Sequence, residues 1–359
     1  MKKPINEIYW IRAIACLSVV AIHSFTRTKG KFDLPDTTID FIVNLQLMMM
    51  FATPMFVLIF EVIVGNAYHN RIPKGFFKKR LLYLFLPFVF VPFLYVLFNV
   101  IYNDFAMSNV LRALQRDLIF AGWHGYFILI ILQFVVIHAL FVKYLRKIPM
   151  WIMLIVSFAL NVTYLYMTEF HRDMFPMIMQ ENYSYIRLVF VGWIFYFTVA
   201  YYVGKNLDKV RASRKWGLPL AFVATGISLY YVYDMHYSGT ITTLGSVRLD
   251  IMFYTVTLFF FLFFLFSYVS KVPKVVMFIS KYAFSIYLLH LLSFNIAMKY
   301  LPKMNIILYS FTLFLIGIFG SVLMARLISL FPFGKFIIGP LKDAVKQKRV
   351  TKEQERVAA

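Results

Sequence analysis

The chain is a succession of apolar runs, each about twenty residues long, separated by short charged loops. A run of that length is what an α-helix needs to cross the ~30 Å hydrocarbon core of a bilayer. No other feature narrows the possible folds as far. The residues are 61% hydrophobic and only 15% charged, against roughly 45–50% and 25% in soluble domains. A transmembrane barrel would read as weak alternating segments of about ten residues. The sequence therefore specifies an all-α, polytopic integral membrane protein.

Ten spans fit, near 5–25, 39–66, 81–102, 124–145, 149–168, 186–204, 217–234, 248–270, 282–300 and 305–331. The stretch 106–120 has the periodicity of an amphipathic helix lying at the interface. The first run carries Arg12 and has no small-residue cleavage site, so it is read as a retained span rather than a signal peptide. After the tenth span about 28 residues remain, fewer than the roughly 40 a small independent domain needs. The expected organisation is a membrane domain over 1–334 and a basic cytoplasmic tail over 335–359. Any chemistry must then occur inside the bundle.

The formal net charge of +21 would suit a nucleic-acid partner if it formed one patch, but the cations sit in the loops and sort by side. One set holds Lys2 and Lys3, Arg71 through Arg80, Lys143 to Lys147, Lys205 through Lys215, Lys271 to Lys281, and the tail from Lys335. The other mixes signs, as in Arg27, Lys29 and Lys31 with Asp33 and Asp36, Asp104 with Arg112, Arg116 and Asp117, and Glu169 with Arg172. The first set is expected in the cytoplasm, with both termini inside, as ten crossings require. No nucleic-acid partner is expected. Cys16 is the single cysteine; no disulfide can form within the chain, and a packing role is expected.

Chemistry is sought among ionisable groups inside the spans, because each costs roughly 2.5–3.5 kcal/mol to insert. Arg12 and His23 lie eleven positions apart in the first span. At ~100° per residue that spacing returns to within ~20° of one face, with about 16 Å between them along the axis. Both should face a polar cavity. With this topology Arg12 lies toward the cytoplasm and His23 toward the outside. His23 is a candidate general base, weighed against a plain headgroup-level histidine; Arg12 is weighed against snorkelling.

His290 is expected near the middle of the ninth span and is a third candidate for the cavity. His138 is read as an interhelical hydrogen bonder and His124 as an interfacial belt residue beside Trp123. Glu61 needs a buried partner, and Arg12, at similar depth, is the expected one. Arg187, Arg248 and Asp250 open spans near the outer face, where they either orient a sugar or His23, or anchor helix ends. Lys78, Lys79 and Arg80 lie in a basic run at a helix N-terminus. That run suits phosphate ligands as well as simple topological sorting. No metal-ligand spacing, phosphate-cradling glycine motif or nucleophile elbow is present.

Taken in order, these residues resemble a known family. Arg12 and His23 in the first span, the basic run Lys79-Arg80 leading to Pro87, and Ser280-Lys281-Tyr282-Ala283-Phe284-Ser285-Ile286-Tyr287-Leu288-Leu289-His290 are similar to motifs of membrane-bound acyltransferase family 3. Gly125-Tyr126-Phe127 with Gln133-Phe134, and Gly192-Trp193-Ile194-Phe195-Tyr196-Phe197, resemble its IcaC-like branch. One departure is Tyr83, where many members carry a second arginine; donor binding then shifts to Lys78, Lys79 and Arg80. The resemblance implies transfer of an acetyl or succinyl group from cytosolic acyl-CoA, used as donor rather than held as a cofactor, to a hydroxyl of a cell-surface polysaccharide. His23, Arg12 and His290 would be catalytic, and Lys78, Lys79, Arg80, Glu61, Arg187, Arg248 and Asp250 would bind substrate. The implied setting is the bacterial cytoplasmic membrane, with a polysaccharide synthase as a possible partner. The competing function is export of a polysaccharide such as poly-N-acetylglucosamine, using the same polar path.

Overall fold

A computed structural model describes residues 4–102 and 106–341. Lys2, Lys3, Asp104 and the tail beyond Leu341 lie outside the described residues. All regular structure among the described residues is helical. Among the described residues nine helices are long and apolar enough to cross a membrane. They are α1 (Asn6–Lys29), α2 (Asp36–Tyr68), α3 (Phe76–Tyr102), α5 (Tyr126–Tyr144), α6 (Met150–Phe170), α8 (Arg214–Tyr237), α9 (Leu249–Phe266), α10 (Lys274–Tyr300) and α11 (Ile306–Ser329). The amphipathic α4 is Met107–Leu118, where an interfacial helix is expected.

The sixth expected span is the exception, because it is not one helix. A short helix Tyr183–Leu188 and a 3-10 turn Phe190–Trp193 precede α7, Ile194–Lys205. Interrupted backbone survives at membrane depth only where protein supplies its hydrogen bonds, and here side chains do so. Asn161 on α6 donates to Gly192 O and accepts from Phe195 N, both at 3.0 Å. Gln133 on α5 donates to Leu188 O at 2.8 Å and accepts from Phe190 N at 3.3 Å. Tyr164 Oη and Trp193 Nε1 donate to the carbonyls of Ile186 and Arg187 at 2.6 and 2.9 Å. The interruption is thereby satisfied, and every residue of α7 from Tyr196 to Gly204 is buried.

Hydrogen bonds between loops define two ends of the bundle. At the near end Asn6 donates to Ser270 O, Arg211 clasps Glu7 at 2.7 and 2.9 Å, Arg214 donates to Ser267 O and Arg146 to Asn70 O. The bond to Glu7 pushes the Arg211 guanidinium above its ordinary pKa. At the far end Lys31 donates to Met298 O, Lys299 to Tyr102 O, Tyr237 to Asn44, and Ser246 to Met50 O. Of the two charge sets read from the sequence, Arg146, Arg211 and Arg214 fall at the near end and Lys31 and Lys299 at the far one. The chain leaves α11 at the near end, where Phe336 stacks on Tyr83 and Ser285 bonds Ile338 O.

Helix α1 is the hub, packed against α2, α9, α10 and α11. Cys16 is buried there, its thiol toward Ala283 O of α10. Helices α6 and α8 are peripheral, and their outward residues, among them Trp151, Ile155, Leu220, Phe222 and Ile227, are exposed and apolar. An apolar surface of that extent is foreign to a soluble monomer and suits lipid. The protein is a multi-pass membrane protein.

Candidate active site

Two cavities flank α1. The near one, about 370 Å³, is lined by Arg12, Arg80, Ser280 and Lys281 among apolar walls from α2 and α5. The far one, about 550 Å³, is lined by His23, Gln46, His124, Tyr126 and Arg187, with the 244–247 loop over it. Tyr287 lines both. Its ring meets those of Phe56 and Phe127 at 6.5 and 6.2 Å, and these two meet each other at 6.2 Å. Arg12 and His23 therefore both face cavities, as their helical register requires. In place of one polar cavity shared by both there are two, with a layer of three aromatic rings at their common wall.

Three imidazoles gather on the far side of that layer. The His23 ring lies 5.1 Å from that of His290, and His124 lies 5.2 Å from His290. His290 is fully buried, and its Nδ1 lies 3.0 and 2.9 Å from the carbonyls of Ile286 and Tyr287. Carbonyls only accept, so Nδ1 carries the proton and Nε2 presents a lone pair. That Nε2 is buried with no protein partner, a condition native interiors resolve with a ligand or water. His124 Nε2 similarly donates to Leu288 O at 3.2 Å, and Tyr287 Oη donates to His124 O. Among the described residues no three His, Cys, Asp or Glu side chains are arranged to hold a metal ion.

His124 is thus no belt residue: it belongs to the histidine cluster, through contacts with α10 from 164 residues away in the chain. Its neighbour Trp123 was the sequence signal for a belt, yet that ring packs on Phe88 and Tyr95. Glu61 is likewise corrected. Its partner is His138 Nδ1 at 2.6 Å, both side chains being fully buried, rather than Arg12. The expected hydrogen-bonding role of His138 holds. Arg187 does face the far cavity. It sits over the Tyr126 ring at 4.0 Å and donates to Ala121 O and Ser184 Oγ, while its Nε has no partner.

Arg248 and Asp250 line neither cavity. They bind one another at 3.0 and 2.5 Å, and Arg248 also donates to Thr243 O at 2.6 Å, which fastens the 238–248 loop. Lys78 and Lys79 are exposed at the near end, outside both cavities. Arg80 alone of that run reaches inward, its guanidinium 3.8 Å over the buried Phe76 ring. A π-helical turn, Leu81–Phe85, follows it, and Leu84 from that turn shares the cavity wall.

The helical membrane bundle thus combines cations lining the near cavity with an unpartnered imidazole nitrogen in the histidine cluster beside the far one. Residues 5–326 match the family described as Acyltransferase domain. The chain belongs to that family and is an acyltransferase. It is 31% identical to the membrane-bound acyltransferase YfiQ of Bacillus subtilis (strain 168), with 97% of this chain and 98% of that one covered. It is 23% identical to a poly-β-1,6-N-acetyl-D-glucosamine export protein of Staphylococcus aureus (strain Mu50 / ATCC 700699), over 81% of this chain and 82% of the relative. The corresponding Staphylococcus epidermidis protein is 24% identical over 81% of each chain. No solved structure matches it significantly.

Proposed function

We propose that the protein transfers an acetyl or succinyl group from cytosolic acyl-CoA to a hydroxyl of a cell-surface polysaccharide. The observation that carries this reading is that Arg12 and His23, on one face of α1, open into cavities toward opposite ends that share one wall, Tyr287. The positive near end, where the described residues begin at Pro4 and end at Leu341, is assigned to the cytosol. The donor's pantetheine arm would pass Arg80 and Arg12 and bring its thioester to the ring layer. The acceptor hydroxyl would come from outside, into the cavity of His23 and Arg187.

His23 takes the hydroxyl proton as the oxygen bonds to the thioester carbonyl carbon. The tetrahedral intermediate collapses, the carbon–sulfur bond breaks, and the CoA thiolate leaves with the proton from His23. The Nε2 lone pair of His290, beside the His23 ring, is suited to orient that imidazole directly or through one water. Replacing His23 with Ala should leave the protein in the membrane and lower glycan acylation about 10²–10⁴-fold, the usual share of a general base. Mass spectrometry of surface glycans reads the result, and normal ester content in the mutant would refute the assignment.

The names of the staphylococcal relatives favour export as a second reading. The layer of Phe56, Phe127 and Tyr287 weighs against it, since a polysaccharide chain is far bulkier than an acyl arm. Purified protein in liposomes decides: acyl-CoA turnover without glycan movement supports the enzyme, and glycan movement without turnover supports the exporter.

A further inference from the structure

The near end holds a second recess that the mechanism above leaves unused. It measures about 600 Å³ and is lined by Lys281, Tyr282, Arg326, Lys335 and the 339–341 turn. Arg326 and Lys335 thus line one concavity together with Lys281. Arg326 Nε donates to Tyr282 Oη at 3.1 Å, which sets the plane of the guanidinium. Lys335 is held beside it because the segment after α11 is pinned to the bundle. Phe336 stacks on Tyr83 with centroids 6.0 Å apart, and Ser285 Oγ donates to Ile338 O at 3.3 Å. Gly339 turns the chain with φ +77°, and a Cβ there would come within 2.9 Å of the Phe284 ring. The recess is therefore built, and it adjoins the donor cavity, with Lys281 lining both.

We infer that this recess binds the phosphate groups of the donor's nucleotide, with Arg326 and Lys335 as the phosphate ligands and Lys281 at the junction where the arm turns toward Arg12. The inference rests on the acyl-CoA reading and extends it. A volume of about 600 Å³ falls within the 300–1,000 Å³ typical of small-molecule sites. A guanidinium of fixed plane offers the two-pronged hydrogen bonding that phosphate favours. Lys78 and Lys79, in the first turn of α3, are exposed and line none of the three cavities described, and Arg80 lines the donor cavity and not this recess. An anionic lipid headgroup shares the phosphate chemistry, and the test separates the two.

The full chain is placed in phosphatidylcholine nanodiscs and titrated with adenosine 3′,5′-bisphosphate. The double variant R326Q/K335Q should bind it at least about tenfold more weakly than wild type, as loss of charge-assisted bonds requires, and its KM for acyl-CoA should rise by a similar factor. R326K should recover part of the loss, and K147Q, which removes a near-end charge away from the recess, should leave binding as in wild type. Unchanged nucleotide affinity in R326Q/K335Q, with wild-type protein turning over acyl-CoA, overturns the recess and leaves the function standing. Wild-type protein that neither binds the nucleotide nor consumes acyl-CoA overturns the acyl-CoA reading and the recess together. If phosphatidylglycerol added to the discs displaces the nucleotide from wild type, the recess is a headgroup site and the inference fails.

Discussion

Glu61 and His138 show what a buried ionisable pair asks of its surroundings. Both side chains are fully buried at 2.6 Å, and Glu61 Oε2 and His138 Nε2 have no protein partner. Removing one member leaves the other uncompensated in a dry interior. E61A should therefore cost about 3–5 kcal/mol, whereas replacing both members with apolar residues of similar volume should restore most of that. The buried Cys16, the chain's single thiol, supplies the readout: a thiol-reactive dye reports it only as the bundle melts. That Glu61 needs a partner was legible in the sequence, but the choice of partner was not. Depth in the membrane follows from position along a span; azimuth between two helices does not. Arg12 matched Glu61 in depth and faced elsewhere. His124 was hidden for a related reason, since its place in the cluster depends on α10, far along the chain.

At the scale of elements, the interrupted span before α7 is the departure with most consequence. Hydropathy measures how much apolar chain is present, not whether its hydrogen bonds continue, so 186–204 read as one ordinary helix. The signals that mark the break are polar residues on other helices, Gln133 and Asn161, together with Gly192-Trp193. N161A should leave Gly192 O and Phe195 N unsatisfied at about 1–3 kcal/mol and should weaken acceptor use by loosening Arg187, seen as a raised KM for glycan. Beyond the break, α7 lies so close to α2 that a Cβ at Gly204 would come 2.4 Å from Val62 O. Small residues permit such approaches in membranes. G204A should thus cost about 1–3 kcal/mol by overpacking, measurable as an earlier melt of Cys16 protection. The aromatic composition gave no hint of this contact, which depends on a residue with almost no side chain.

Over the whole molecule, loop charge separated Arg146, Arg211 and Arg214 at one end from Lys31 and Lys299 at the other, because topology is written in short-range composition, whereas helix packing is not. In a C16S background, K74C should react with impermeant maleimide only from the cytosolic side of inside-out vesicles, and S108C only in intact cells; the reverse pattern would invert the proposed orientation. The spacing of Arg12 and His23 foretold that both face polar space, but as one shared cavity, not as two with the rings of Phe56, Phe127 and Tyr287 between them. That ring layer has an electrical consequence. Bacteria keep a voltage across this membrane, and three packed hydrocarbon rings insulate where a wet bore would short-circuit it. An acetyl group crossing the layer is uncharged and ignores the voltage. A succinyl carboxylate would cross it as an anion, driven by up to ~2.3 kcal/mol per 100 mV. Transfer that accelerates when vesicles are energised would therefore mark a dicarboxylic acyl group, and transfer blind to the voltage a neutral one.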